Sequence, residues 1–213
     1  VLVDRTNPFG NGHLLPRGIL REPVEHLERA SYVFITKSDG TSTEELREAI
    51  RSRNPNADIV ECAHEPKYFQ ALEDDGTTYP LDWLRGKRVA ALSGIATPES
   101  FEKLLRDYGA ELVHAERYLD HHRYSRWELQ RFMRRARDAK AEYVLTTEKD
   151  AVRIDPDFRA GIPVAFLRLE IEILDGAPDF EQAVSRICFP KNPLKGTRFQ
   201  ENGSASPVRQ EIS

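Results

Sequence analysis

Short runs rich in β-branched and aromatic residues alternate with amphipathic helical patterns along most of this 213-residue chain. Such alternation is typical of βαβ units, in which each helix returns the chain so that the next strand pairs in parallel. Strands are predicted over residues 1–4, 32–36, 58–62, 88–93, 111–115, 143–146 and 164–167. Helices are predicted over residues 24–29, 42–53, 98–108, 125–139 and 180–187. The sequence therefore predicts an α/β fold with a mostly parallel sheet flanked by helices.

A segment rich in glycine and proline, GNGHLLPRGILREP at residues 10–23, follows the first predicted strand. It predicts a long ordered loop at the carboxyl end of that strand, where open α/β sheets bind ligands. Arg21 and Glu22 stand directly before Pro23, which would begin a helix, so they are candidates for contacting a phosphate. A solvated loop-to-helix pair is the alternative.

Two further charged clusters follow predicted strands. Thr36, Lys37 and Asp39 have the spacing with which some P-loop GTPases read a purine base, although an ordinary turn would use the same residues. Lys149 and Asp150 follow the strand at residues 143–146 and are candidates for a site, with a solvated turn as the alternative.

Asp120, His121 and His122 lie between a predicted strand and a helix for which Ser125 is the predicted cap. A metal site is disfavoured because side chains adjacent in sequence point in different directions and no third ligand has suitable spacing. A proton-handling role for His121, with Asp120 orienting the ring, is the functional hypothesis, and an inert loop is the alternative. A second helix start is predicted at Thr97, which precedes a proline.

Four phrases carry a resemblance to one family: GNGHLLPRGILREP, GIATPESF, LDHHRY and TTEKDAVR, in this order along the chain. They resemble segments of the tetraacyldisaccharide 4'-kinases of lipid A biosynthesis, and the resemblance runs from residue 1 to about residue 189. It implies a P-loop-kinase-like sheet with a smaller α/β C-terminal lobe. It also implies transfer of the γ-phosphate of ATP, with Mg²⁺, to the 4'-hydroxyl of a tetraacylated disaccharide 1-phosphate.

The resemblance implies roles for particular residues. Arg21 would contact a phosphate, and Glu22 would orient Arg21 or a metal-bound water. His121, next to Asp120, would act with an aspartate of the N-terminal half of the kinase in activating the sugar hydroxyl. Lys149 and Asp150 would lie near the site in orienting and charge-balancing roles rather than catalytic ones. The residues predicted to bind the lipid substrate are Asn11, Lys149 and Asp150, and those predicted to bind nucleotide, from the GTPase-like spacing, are Thr36, Lys37 and Asp39.

Two features of the family are absent from these 213 residues, namely the G-x-x-x-x-G-K-[ST] phosphate loop and a D-D-G-F-Q magnesium-binding segment. The chain also opens directly in a predicted strand. We therefore expect it to be the carboxyl-terminal half to two-thirds of such a kinase, with the Mg²⁺ ligands and the membrane-contacting helix mainly before Val1. The rival hypotheses are a GTPase-like or metallochaperone-like P-loop protein and a non-catalytic binding module.

The expected organisation is a nucleotide-lobe part at residues 1–63, a linker hairpin at 64–86, a smaller lobe at 87–189 and a disordered tail at 190–213. A net charge of -4 and a pI near 5.9 exclude a general nucleic-acid binder. There is neither a signal peptide nor an apolar run of about 20 residues, the length that spans a bilayer. We expect a cytoplasmic protein, which the resemblance places at the cytoplasmic face of the bacterial inner membrane.

Overall fold

One mixed sheet runs through the computed structural model, which describes residues 1–188 apart from 74, 75, 156 and 160. Within these residues the sheet has eight strands in the order β1-β2-β3-β8-β7-β5-β6, with β4 paired to β3. The strands are β1 Leu2–Asp4, β2 Tyr32–Thr36, β3 Asp58–Ala71, β4 Thr78–Pro80, β5 Arg88–Ser93, β6 Glu111–Arg117, β7 Tyr143–Thr147 and β8 Val164–Asp175. The predicted α/β class with a mostly parallel sheet is confirmed.

Five α-helices and two short 3-10 helices connect these strands or follow them in the described residues. The α-helices are α1 Glu44–Arg51, α2 Pro98–Asp107, α3 Arg126–Asp138, α4 Glu148–Ala151 and α5 Ala177–Cys188. The 3-10 helices are Val24–Arg29 and Leu81–Leu84. The chain divides into two compact units, Val1–Gly176 and Ala177–Ser213, and α5 is the described part of the second. No helix in the described residues combines the length and apolar character needed to cross a bilayer.

Two groups of parallel strands make up the sheet of the first unit. β1, β2 and the start of β3 are parallel, as are β6, β5, β7 and the start of β8. β3 and β8 join the groups by pairing antiparallel, from Glu61 opposite Asp175 to Ala71 opposite Ala165. Each group therefore turns the carboxyl ends of its strands toward the middle of the β3–β8 pair.

The strand register gives the distance between the carboxyl ends of the two groups, which we call their edges. In the first group, β2 ends one residue after Ile35, and Ile35 pairs with Glu61 of β3. In the second group, β7 ends at Thr147, which pairs with Leu167 of β8, and Leu167 pairs in turn with Phe69 of β3. A strand advances about 3.3 Å per residue, so the edges lie about 25 Å apart along the ribbon. The loops that follow the strands of both groups consequently lie on either side of the middle of the β3–β8 pair.

Alternating apolar residues of the strands build the core, as the sequence pattern predicts. One face of the β5–β7 group packs on α3 through a cluster that includes Ala90, Leu92, Val144, Leu129 and Phe132. The other face packs on α2 through a cluster that includes Val89, Ala91, Leu145, Phe101 and Leu105. A third cluster, which includes Val3, Val33, Ile35, Leu27 and Ile50, supports β1 and β2.

The main differences from the predicted elements concern β3 and β8. The strand predicted at residues 58–62 continues to Ala71, and the strand predicted at 164–167 continues to Asp175, because the extra residues pair with one another. The segment predicted as a helix at 24–29 is a 3-10 helix, and α1 is shorter than the predicted 42–53.

The predicted linker hairpin at residues 64–86 contains antiparallel pairs between β3 and β4, with Phe69 opposite Tyr79. Asp74 and Asp75, in its predicted turn, lie outside the described residues, as does the predicted disordered tail at 190–213. The division into lobes at 1–63 and 87–189 stays a prediction.

Candidate functional site

The carboxyl ends of β1 and β2, with the residues that follow them, form what we call the first edge. Here Lys37 Nζ lies 2.5 Å from Asp4 Oδ2, and Arg5 Nη1 lies 3.0 Å from Asp39 Oδ1. Thr36 accepts a backbone hydrogen bond of 3.0 Å from Arg5. Burial raises the pKa of Asp4, but hydrogen bonds from Lys37 and Thr6 outweigh it and leave that pKa below its ordinary value. The three predicted nucleotide-binding residues thus lie together, engaged with the neighbouring strand end.

Asn11 organises the loop at residues 10–23. Its Nδ2 donates to the carbonyl of Arg17 at 3.1 Å, and its Oδ1 accepts from the backbone N–H of His13 at 3.2 Å. Gly18 closes this turn so tightly that a Cβ there would lie 2.1 Å from the His13 carbonyl oxygen. In this structure Asn11 therefore holds the loop, while its predicted contact with substrate stays a prediction.

Arg21 and Glu22 line an open pocket of about 360 Å³ beside β1, with apolar walls that include Val3, Phe9 and Leu20. Glu22 bonds Arg29 and also His26, the latter at 3.3 Å, rather than Arg21. These contacts, Arg29 first, lower the pKa of Glu22. Arg21 is exposed and forms no ion pair with any described residue. The expectation that Glu22 orients Arg21 therefore does not hold in this geometry, while Arg21 stays available to an anion.

The second edge consists of the carboxyl ends of β5 and β7, α4 and the loop at residues 118–124. At its centre is Asp150, whose side chain is fully buried. Its Oδ2 accepts from the backbone N–H of Gly94 at 3.0 Å and from Thr147 Oγ1 at 2.7 Å. Burial, and then the charge of Asp150, raise the pKa of Tyr124, so this phenol keeps its proton. Asp150 thus holds the loops around it, and its predicted roles toward a substrate stay predictions.

His121 lies in the loop at residues 118–124, and its own backbone is left-handed, with φ of 65°. Its backbone N–H donates to the Gly94 carbonyl at 3.2 Å, and its side chain is 77% exposed. Nε2 lies 3.6 Å from Asp120 Oδ2, and Nδ1 lies 2.9 Å from Arg153 Nη2. Asp120 and His121 are thus brought together as expected, and Arg153 joins them.

His122 points away from His121, as expected for side chains adjacent in sequence. Its ring stacks on Tyr118 with centroids 4.6 Å apart, and its Nε2 lies 3.2 Å from Glu128 Oε1. No three His, Cys, Asp or Glu side chains among the described residues gather into a metal-binding group.

His64 lies on β3, opposite Ile171 of β8. Partial burial lowers its pKa, and the positive charges of Lys37 on the first edge and Lys149 on the second lower it further. Sequence reasoning missed His64 because it stands in the stretch predicted as a linker. Sequence reasoning also missed Arg153. The signal available for it was its position three residues after Asp150, a spacing that brings two side chains together on one face of a helix.

A mostly parallel sheet flanked by helices, with charged loops at the carboxyl ends of its strands, defines an α/β protein of the class that commonly binds ligands at that edge of the sheet. Within that class, residues 1–188 match the family described as tetraacyldisaccharide-1-P 4'-kinase, LpxK. The chain belongs to this family, and the resemblance read from its four phrases is confirmed.

Individual relatives agree with the family match. The chain is 43% identical over 192 residues to a tetraacyldisaccharide 4'-kinase of Anaeromyxobacter dehalogenans (strain 2CP-C), which covers 87% of this chain and 50% of the relative. It is 37% identical over 182 residues to that of Syntrophus aciditrophicus (strain SB), covering 81% and 48% respectively. The chain thus spans about half the length of the curated relatives it matches.

Among solved structures, the chain resembles the crystal structure of the "apo" form of LpxK from Aquifex aeolicus in complex with ATP. The TM-score is 0.59 at 21% identity, with 87% of this chain and 51% of that chain covered. At this identity the likeness supports the fold and does not by itself assign site residues.

Proposed function

We propose that the gene product containing this chain transfers the γ-phosphate of ATP to the 4'-hydroxyl of a tetraacyldisaccharide 1-phosphate in lipid A biosynthesis. The observation that carries the proposal is the match of residues 1–188 to the 4'-kinase family. The geometry supports it, because the strands of both edges point their carboxyl ends, with the polar loops that follow, toward the middle of the β3–β8 pair. Phosphoryl transfer depends chiefly on positioning and on neutralising charge, which two facing edges with cationic side chains can serve.

The first edge serves the nucleotide in this proposal. Thr36, Lys37 and Asp39 contact ATP, and Arg21, which has no ion-pair partner among the described residues, contacts a phosphate. ATP and Mg²⁺ are the proposed cofactors, and the described residues supply no group of Mg²⁺ ligands. Glu22 contributes by fixing the loop through Arg29.

The second edge serves the acceptor. Lys149 is exposed on α4 and provides positive charge for the anionic disaccharide, while Asp150 holds the surrounding loops and Asn11 shapes the loop opposite. His121, with a carboxylate, assists removal of the hydroxyl proton. Leu119, two residues earlier and 85% exposed, offers an apolar contact for a lipid substrate held at the cytoplasmic face of the inner membrane.

The test is a transfer assay on the gene product that contains this chain, with γ-labelled ATP and a tetraacyldisaccharide 1-phosphate. We expect label to enter the disaccharide and to be absent with an acceptor that lacks the 4'-hydroxyl. Label transfer to the 4'-deoxy acceptor, or no transfer from a folded protein, contradicts the proposal. Faster transfer from GTP than from ATP favours the GTPase-like alternative.

A further inference from the structure

The guanidinium of Arg153 bridges the buried centre of the second edge and the exposed ring of His121. Its Nη1 lies 3.3 Å from Asp150 Oδ1 and 3.5 Å from the Gly94 carbonyl oxygen. Its Nη2 lies 2.9 Å from His121 Nδ1. Only 19% of the Arg153 side chain is exposed, and Asp150 is fully buried. The guanidinium is therefore anchored on the protein side and reaches out to one ring nitrogen.

The same Gly94 that Arg153 contacts also holds the backbone of His121. The Gly94 carbonyl accepts from the His121 N–H at 3.2 Å, and its N–H donates to Asp150 at 3.0 Å. A Cβ at Gly94 would lie 2.9 Å from Tyr124 Oη and 3.1 Å from Asp150 Oδ1, so no other residue fits without a shift. Backbone and ring of His121 are thus fixed by one connected group.

The chemistry of arginine decides where the proton on this ring sits. A guanidinium has only donors and keeps its charge, so the nitrogen it contacts must accept. Nδ1 of His121 is consequently unprotonated, and the proton of the neutral ring lies on Nε2. That nitrogen is the one facing Asp120 Oδ2 at 3.6 Å.

We propose that Arg153 is a positioning residue that holds His121 as the neutral Nε2–H tautomer. The proposal rests on the proposed function and specifies how His121 serves it. In this form His121 donates from Nε2 to a carboxylate, of which Asp120 is the nearest on this loop. The carboxylate takes the hydroxyl proton as the hydroxyl oxygen bonds to the γ-phosphorus and the bond to the leaving ADP oxygen breaks.

The direct test is long-range ¹H–¹⁵N NMR of the histidine rings in the 213-residue chain, which separates the two neutral tautomers. We expect Nε2–H at His121 in the wild type and a mixture in Arg153→Met. Arg153→Lys, which keeps a donor of the same charge, should restore much of the Nε2–H form. Arg123→Met is the matched control, because Arg123 lies two residues from His121 and is exposed. It should leave the tautomer unchanged.

An Nδ1–H ring in the wild type, or an unchanged Nε2–H ring in Arg153→Met, overturns the proposal. If Arg153→Met does not fold, the wild-type and Arg153→Lys spectra still decide. Kinetics of the gene product give a second readout: Arg153→Met should lower kcat roughly 10- to 100-fold through a misplaced ring, with little change in the KM for ATP. Because the NMR readout needs no turnover, failure of the kinase assay and failure of this proposal are separate outcomes.

Discussion

Most charged side chains at the two edges form ion pairs with other protein side chains. Lys37 is paired with Asp4, Arg5 with Asp39, and Arg153 with Asp150. Such pairs fix loop conformation, whereas a cation without a protein partner is open to a ligand phosphate. Arg17 and Arg21 both form no ion pair among the residues that the structure describes, but of the two only Arg21 lines the pocket of about 360 Å³ beside β1, which makes it the sharpest residue-level test.

Replacing Arg21 by alanine should lower the kinase activity of the gene product far more than replacing Arg17, four residues earlier in the same loop. A guanidinium paired with a transferring phosphate contributes about 2–4 kcal/mol to the transition state, whereas an exposed loop arginine contributes little. Both side chains are exposed, so the two variants should have similar stability. Steady-state kinetics with ATP check this, and equal losses for the two variants would remove Arg21 from the site.

At the scale of helices and strands, a few polar side chains connect α1 with β3 and β8. Arg47 Nη2 of α1 lies 2.8 Å from Glu61 Oε2 of β3 and 2.8 Å from Asp175 Oδ2 at the end of β8. Glu61 also accepts from Thr43 Oγ1 at 2.8 Å and is 8% exposed. This contact joins the first-edge group to the end of the β3–β8 ribbon.

Glu61→Gln should lower the free energy of unfolding at pH 7 by about 1–3 kcal/mol, the usual cost of weakening a buried charged hydrogen bond. Burial alone would raise the pKa of Glu61, but hydrogen bonds led by Arg47 bring it below its ordinary value of 4.5. The charged form therefore stabilises the fold above pH 4.5, and that stabilisation is lost as pH falls through the lower folded-state pKa.

Urea unfolding at neutral and at acid pH measures this contribution. The difference between wild type and Glu61→Gln should shrink as the pH is lowered. Glu44→Gln is the control, because Glu44 is 61% exposed and 3.7 Å from Arg51, and it should change stability by less than about 0.5 kcal/mol. A pH-independent loss in Glu61→Gln would mean that the carboxylate charge is not what matters.

Two predicted helix caps behave differently. Ser125 Oγ accepts from the Glu128 N–H at 3.3 Å, and the Glu128 carboxylate accepts from the Ser125 N–H at 2.8 Å, which makes a complete capping box. Hydrogen bonds from Ser125 lower the pKa of Glu128 to about 2. Thr97, predicted to cap α2, makes no side-chain cap. The Ser125 cap is confirmed, and α2 begins at Pro98 after Thr97 as predicted. Only the predicted cap by the Thr97 hydroxyl is wrong, because the Thr97 backbone, with φ of -130° and ψ of 71°, departs from the extended geometry of Ser125.

Ser125→Ala should destabilise the chain by about 1 kcal/mol, whereas Thr97→Ala should cost much less, since only Ser125 accepts from a backbone N–H of its helix and Thr97 Oγ1 accepts only from the Ser100 hydroxyl at 3.3 Å. The part of the Ser125 contribution that comes from the Glu128 carboxylate is present above the ordinary pKa of 4.5 and is lost as pH falls from there through about 2, whereas the bond from the Glu128 N–H remains. Thermal unfolding of the two variants makes the comparison. A larger loss for Thr97→Ala would contradict the capping geometry.

The local sequence pattern predicts most helices and strands correctly. β5, β7, α2 and α3, for example, each have a periodic apolar face that distinguishes a helix from a strand. It failed for β3 beyond Cys62, where Pro66 and several charged residues look like a linker and only pairing with β8 makes them a strand. The candidate site also combines contacts that the local sequence predicts with contacts that it does not. Asp120 and His121 are neighbours in sequence, whereas Arg153 reaches His121 from 32 residues away, a contact that no local pattern contains.

At the scale of the whole molecule, the long β3–β8 ribbon sets how far apart the two edges stand. Their separation of about 25 Å follows from the register and the rise of a strand. Burial lowers the pKa of His64, in the middle of the ribbon, and the positive charges of Lys37 on the first edge and Lys149 on the second lower it further. A nucleotide bound between the two edges needs a phosphate cradle on one side, and a Walker-type loop is absent from these 213 residues.

The 213-residue chain alone should therefore show almost no thermal shift with 1 mM Mg·ATP. A ligand with Kd of about 1 mM or weaker stabilises by at most about 0.4 kcal/mol at that concentration, which for a chain of this size moves Tm by less than roughly 2 °C. A Kd near 10 μM would instead contribute about 2.7 kcal/mol and a shift of roughly 5–10 °C. The 4'-kinase of Anaeromyxobacter dehalogenans, run alongside, is the positive control. A thermal shift of several degrees that disappears in Arg21→Ala would show that the first edge binds the triphosphate without a Walker loop. A shift that persists in Arg21→Ala would place nucleotide binding elsewhere in the chain.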